Sequence, residues 1–143
     1  VIGAVGYWYK GDYYIPLLVM EELNKEGFQI IDLSGAIKSI TFLSDVRPKN
    51  LVILASAKRG EKELRRYSFE SSESPLADWA EIYANFKAYY SDIDTFLRML
   101  SAFRIIERAE IVECEVVNED GELSDWGRMC KELMKSEVLR LLK

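Results

Sequence analysis

Leu51-Val52-Ile53-Leu54-Ala55-Ser56-Ala57 (LVILASA, residues 51–57) is a run without a single charge. A strand wetted on one face alternates apolar with polar side chains. A run that does not alternate reads as a strand buried on both faces, as in the middle of a parallel sheet. Parallel neighbours need crossovers of about a dozen residues or more, usually helical. The segments on either side must therefore alternate strand with helix, and they do.

Upstream, residues 1–6 read as a buried strand ending in glycine, and residues 7–14 as an aromatic, glycine-containing loop. A helix is predicted over Ile15–Lys25. Pro16 suits its first turn, where the missing N–H has no helical partner. Ile15, Leu18, Val19 and Leu23 give it an apolar face, and Gly27 stops it. Residues 28–33 form a second strand, Ser34-Gly35 a turn and residues 37–43 a short helix, with Pro48 as a boundary. Downstream, residues 58–62 are a charged turn and residues 64–69 a weakly alternating edge strand. Ser74-Pro75 opens a helix striped by Leu76, Trp79, Tyr83, Phe86 and Tyr90. Ser91 and Asp94 resemble a capping box before a face of Ile93, Phe96, Leu97, Leu100 and Phe103. Residues 109–117 are the last strand, and Glu119-Asp120-Gly121 is a turn. Ser124 caps a final helix with Trp126, Met129, Cys130, Leu133 and Leu141 inward. This order predicts one α/β domain over residues 1–143, a three-layer α/β/α arrangement around a mostly parallel twisted sheet of about five strands.

The 143 residues are 49% apolar and carry a net charge of −5. That balance argues against a nucleic-acid partner or an anionic membrane, since both need a positive field. Lys58, Arg59, Lys62, Arg65 and Arg66 are the one basic cluster and read as a solvated charged turn. No apolar run is long enough to insert in a membrane, and no stretch reads as a signal peptide. Cys114 and Cys130 form neither a CxxC motif nor a disulfide framework and read as reduced core thiols of a cytoplasmic protein. A lean toward Glu, Lys and Arg, with one Gln, four Asn and no His, is thermophile-like.

The missing histidine excludes a Ser-His-Asp triad, a Cys-His dyad and imidazole-bound zinc or nickel. Acid–base chemistry would fall to carboxylates, Lys, Tyr or Cys, and a metal site to oxygen ligands suited to Mg²⁺ or Mn²⁺.

In such folds ligands bind at the carboxyl ends of the strands. There lie Asp12, Asp32 and Asp92, each readable as a pocket acid or as a turn or helix-start residue. Tyr7, Trp8, Tyr9, Tyr13 and Tyr14 crowd the first such loop. Aromatics offer contact area at low rotamer cost, so the loop reads as an interface or as a plug filling a pocket. Gly3, Gly6 and Gly11 do not spell GxGxxG, and no Walker lysine is present.

The segment GAVGYWYKGDYYIPLLVMEEL, residues 3–23, resembles the opening of the hydrogenase maturation endopeptidases. That opening is a strand ending Gly-x-Gly-Asn, an acidic pair and a helix with Glu-x-Leu. Gly6, Asp12, Glu21 and Leu23 match without a gap. Ile31-Asp32-Leu33-Ser34-Gly35 resembles the Asp-Gly-Gly-Thr segment, and Leu123-Ser124 the start of the terminal helix. The resemblance implies the family's fold along nearly the whole chain. It also implies a link to the large subunit of nickel-iron hydrogenases, from which the family clips a C-terminal peptide after nickel insertion. The family recognises nickel through Glu or Asp, Asp and His. Here those positions hold Tyr13, Ala55 and Asp92, while the motif asparagine and first glycine fall on Tyr7 and Ala4. Asp12 and Asp92 remain as candidate metal ligands and would hold a hard cation weakly. The reading is a peptidase homologue without nickel-dependent proteolysis, with no cofactor expected, and with a protein-binding or accessory role. The alternatives are an enzyme using Asp12, Asp32 and Asp92 around a divalent ion, and a phosphate- or nucleotide-binding module.

Overall fold

The uncharged run forms a strand with the predicted bounds and lies in the middle of the sheet. The computed structural model describes residues 1–70, 93–102 and 105–142. Within them the order is β1 (Ile2–Ala4), α1 (Ile15–Lys25), β2 (Ile30–Asp32), α2 (Ala36–Val46), β3 (Leu51–Ala57), β4 (Leu64–Glu70), α3 (Ile93–Ala102), β5 (Arg108–Glu115) and α4 (Asp125–Leu141). The sheet runs β2-β1-β3-β5-β4. Every pairing is parallel except the edge pair β4–β5. The predicted α/β/α layers are present. Val5, Leu33, Leu43, Ile53, Ile111 and residues of α3 pack on one face of the sheet. On the other face Ala4, Leu54, Val112 and Cys114 meet α1 and α4. The predicted helix start at Ser74-Pro75, its aromatic stripe to Tyr90, and Ser91, Asp92 and Phe103 lie outside the described residues.

Local chemistry sets the boundaries. Pro16 sits in the first turn of α1, and Gly27 follows its end at φ +100°, a backbone that L side chains rarely adopt. α2 is longer than predicted because Arg47 accepts a left-handed cap at φ 44° just before Pro48. The Ser124 hydroxyl accepts from the Gly127 N–H at 2.9 Å and caps α4 as expected.

Two expectations fail here. Gly127, Cys130, Met134 and Val138 form the buried face of α4, whereas Met129 and Leu133 are 59% and 44% exposed. Trp126, Cys130 and Leu141 pack inward as expected, but one residue of helix turns the stripe by about 100°, which carries Met129 and Leu133 off that face. Second, Cys114 and Cys130 are not reduced thiols. They form a disulfide with Cα atoms 6.1 Å apart, joining β5 to α4 inside the core. No local motif announces this pair, because the fold brings the two positions together.

The bond closes a loop across a sequence separation of 16 residues. Closing a loop of that size limits the unfolded chain by about 3 kcal/mol. Reduction, or the Cys114→Ala, Cys130→Ala variant, is expected to lower the urea-derived unfolding free energy by about that amount. Identical unfolding curves with and without reductant would count against it.

Candidate functional site at the carboxyl edge of the sheet

The parallel strands bring three loops to one edge: the aromatic loop after β1, the charged turn after β3, and the turn between β5 and α4. Two buried carboxylate joints fix them.

The first anchor is Asp12, in the single 3₁₀ turn Gly11–Tyr14. Its side chain is 0% exposed. One oxygen accepts from the backbone N–H groups of Val117 at 2.8 Å and Asn118 at 2.9 Å and from the Ser124 hydroxyl at 2.7 Å. The other accepts from the Ser124 N–H at 2.9 Å. A carboxylate offers about four lone-pair sites, and these donors take them up. Backbone bonds reinforce the joint: Gly11 N–H to the Gly121 carbonyl at 2.9 Å, and Asp12 N–H to the Asn118 carbonyl at 2.8 Å. Close approach makes two glycines obligatory. A Cβ on Gly127 would stand 2.1 Å from the Asp12 carboxylate, and one on Gly11, at φ +57°, 2.4 Å from the Asn118 carbonyl. Asp12 was a candidate cation ligand in the sequence; in the fold the chain itself uses the carboxylate to join the β1 loop to the start of α4.

The second anchor was missed by sequence reasoning. Glu113 and Glu115, on β5, are buried. Glu113 accepts from Arg59 Nε at 2.6 Å, Arg65 Nε at 2.7 Å and the Tyr67 hydroxyl at 2.8 Å. Glu115 accepts from Arg65 Nη1 at 2.7 Å and from the backbone N–H groups of Arg59 and Gly60. Arg59 also reaches Asp94 on α3 at 3.1 Å. Burial pushes both carboxyl groups up, but these donors outweigh it and hold them below the usual carboxylate range. The basic cluster is therefore not a free patch. Arg59 and Arg65 neutralise buried glutamates, Arg66 pairs with Glu137 at 2.5 Å, and Lys58 pairs with Glu119 at 3.3 Å. Two glutamates at i, i+2 in the buried half of β5, interleaved with Ile111, Val112 and Cys114, were the signal for it.

The aromatic loop divides into two groups. Tyr7 and Tyr13 pack with ring centroids 5.3 Å apart and planes tilted by 39°. Trp8 and Tyr9 gather around Tyr14, at 5.6 Å and 5.0 Å. Tyr9 is 77% exposed and Trp8 43%. The Tyr14 hydroxyl donates to Glu21 at 3.1 Å, and burial together with that carboxylate raises its pKa well above the usual phenol range. Tyr9 and Tyr14 form one wall of a concavity of about 470 Å³, and Gly121, Glu122, Leu123, Arg128 and Lys131 complete it.

Of the positions that the resemblance assigns to nickel, two bring no carboxylate or imidazole. Ala55 brings no donor atom and is buried in β3. Tyr13 brings a phenol, and Asp92 lies outside the described residues. Asp32 sits at the end of β2, where it accepts from the Ser34 N–H at 2.9 Å. Among the described residues no three His, Cys, Asp or Glu side chains gather as a metal site would require. The start of α1 is no phosphate cradle of the usual kind either: the Ile15 N–H bonds the Asp12 carbonyl, and Pro16 has no N–H to offer.

A doubly covered sheet with strand order 2-1-3-5-4, an antiparallel edge and its loops gathered at the carboxyl ends defines a three-layer α/β/α scaffold. More narrowly, the fold is that of the hydrogenase maturation proteases. The chain is similar to the [NiFe] hydrogenase maturation protease HybD from Thermococcus kodakarensis, with TM-score 0.68 and 16% identity over 99% of this chain and 97% of that one. It is similar to the hydrogenase 2 maturation peptidase of a Thaumarchaeota archaeon, with TM-score 0.66 and 18% identity over 99% and 96%. The hydrogenase maturating endopeptidase HybD from E. coli gives TM-score 0.66 and 18% identity over 99% and 91%. No family model and no curated protein sequence matches the chain.

Proposed function

We propose that this chain is a divergent relative of the hydrogenase maturation proteases that binds a hydrogenase-related large subunit, or another protein, without cleaving it by the nickel-dependent route. The observation that carries this reading is the contrast at the carboxyl edge. The fold is retained, but Tyr13 and Ala55 stand where acids are needed, while two rings of the same loop face solvent. Asp12, the surviving acid, works as a structural tie. Among the described residues no helix is long and apolar enough to cross a membrane. In this reading the compartment is the cytoplasm. A buried disulfide is compatible with it, since intracellular proteins of hyperthermophiles carry such bonds and the composition leans that way.

The test is incubation with a nickel-loaded precursor of a hydrogenase large subunit, followed by intact-mass measurement and size exclusion. The expected result is a complex with the precursor at full mass. Loss of a C-terminal peptide that depends on nickel would overturn the proposal.

A further inference from the structure

The segment that holds the aromatic loop is itself closed into a ring. Cys114, in β5, and Cys130, in the second turn of α4, are bonded across the core. We propose that this disulfide is a redox lock on the aromatic loop. Oxidised, it holds in place the segment on which Asp12 closes; reduced by a dithiol, it releases the loop while the sheet stays folded. The lock acts on the loop whatever the loop binds, so it stands apart from the accessory role.

Three observations point there. The first is connectivity. The donors to the Asp12 carboxylate, which are the N–H groups of Val117, Asn118 and Ser124 and the Ser124 hydroxyl, all lie between the two cysteines. So do the Asn118 and Gly121 carbonyls, which accept from Asp12 and Gly11. Outside the ring, the Ser56 hydroxyl donates to the Asp12 carbonyl at 2.9 Å and ties the loop to β3. The second observation is leverage. Gly127 and Cys130 stand three residues apart on the buried face of α4. Gly127 meets Asp12 so closely that a Cβ there would lie 2.1 Å from the carboxylate. A displacement at Cys130 is therefore carried along one turn of helix to the joint. Two unbonded thiols need more room than a bonded pair of sulfurs, and a close-packed core has little to give. Reduction accordingly pushes the start of α4 away from β5. Against that push stands the Trp126 indole N–H, which donates to the Glu115 carbonyl at 3.0 Å, a neutral bond of modest strength. The third observation is access. Both cysteines are 0% exposed. A dithiol must attack one sulfur, form a mixed disulfide and then close into its own disulfide, passing two electrons and two protons to Cys114 and Cys130. Neither sulfur can be reached until the start of α4 opens, and the Asp12 joint holds that start. Lock and joint therefore protect each other, since coupling between two equilibria is reciprocal.

The test sets two variants beside wild type. Asp12→Asn weakens the joint. Leu43→Ala opens a cavity on the opposite face of the sheet and lowers global stability by a comparable amount. Reduction by dithiothreitol is followed by thiol alkylation and intact-mass measurement. Asp12→Asn is expected to be reduced at least about tenfold faster than wild type, because local opening no longer breaks bonds to a charge. Leu43→Ala is expected to be reduced at the wild-type rate. Hydrogen exchange at the amides of Asp12, Val117, Asn118 and Ser124 gives the reciprocal measurement. Reduced wild type is expected to exchange them at least about tenfold faster than the oxidised protein, and oxidised Leu43→Ala at the oxidised wild-type rate. Equal acceleration in Leu43→Ala, in either measurement, would make the bond a global staple and overturn the inference. So would an unchanged reduction rate in Asp12→Asn, unchanged exchange on reduction, or loss of the dispersed NMR spectrum of the sheet on reduction.

Discussion

Asp12→Ala is expected to lose about 4 kcal/mol of folding stability, because three backbone N–H groups and a hydroxyl lose a charged acceptor in a buried joint. A single-domain protein has only about 5–15 kcal/mol in hand, so the variant should unfold at much lower urea. Asp12→Asn should recover part of the loss. Its carbonyl oxygen still accepts, but its NH₂ group faces donors that it cannot satisfy. The effect should also be local. The amides of Val117, Asn118 and Ser124, which bond the carboxylate directly, should exchange faster before the sheet does. This discriminates between the two uses of the residue. An acid kept for a ligand is unfavourable in the empty protein, and its removal would leave stability unchanged or raised. Urea titration of wild type and the two variants decides it, and a loss under about 1 kcal/mol would contradict the structural assignment.

Glu113→Ala is expected to cost about 3–5 kcal/mol, the usual cost of removing one partner from a buried ion pair. The orphaned groups would be Arg59 and Arg65, both drawn in toward this carboxylate. The pH dependence follows from the direction of the shift. Glu113 and Glu115 are held below the usual carboxylate range by Arg59, Arg65, Tyr67 and the Gly60 N–H, against the upward push of burial. A carboxyl depressed in the folded state contributes stability that is fully present above its unfolded value of about 4.3. That stability is lost as pH falls through the folded value. Wild type should therefore weaken below about pH 4.3, and Glu113→Ala should weaken less steeply, having already lost that contribution. Unfolding curves from pH 7 to pH 3 measure both effects; parallel pH profiles for the two proteins would contradict the assignment.

What the sequence revealed and concealed divides by the range of the interaction. Leu51–Ala57 and Ile15–Lys25 have the bounds that the uncharged run and the Pro16–Gly27 frame predict. The Ser124 cap is equally legible, because its partner is three residues away. Each signal is local. Asp12 reaches residues 105 to 112 positions away, and Glu113 reaches arginines 48 and 54 positions away. No periodicity reports such pairings, so from sequence the first acid reads either as a pocket acid or as a turn residue, and the basic turn as solvated. The disulfide belongs to the same class. The aromatic loop was visible as a feature, but its division into Tyr7–Tyr13 and Trp8–Tyr9–Tyr14 depends on Tyr9 taking a left-handed backbone, which composition does not disclose.

The central claim is that the fold of a nickel-dependent maturation protease persists here without a ligand set for nickel. Calorimetric titration of the purified chain with Ni²⁺, beside an Asp92→Asn variant, tests it most directly. The account predicts no saturable binding by either protein. Tight binding of one Ni²⁺ per chain by the wild type, lost in the variant, would contradict it and return the carboxyl edge to metal chemistry.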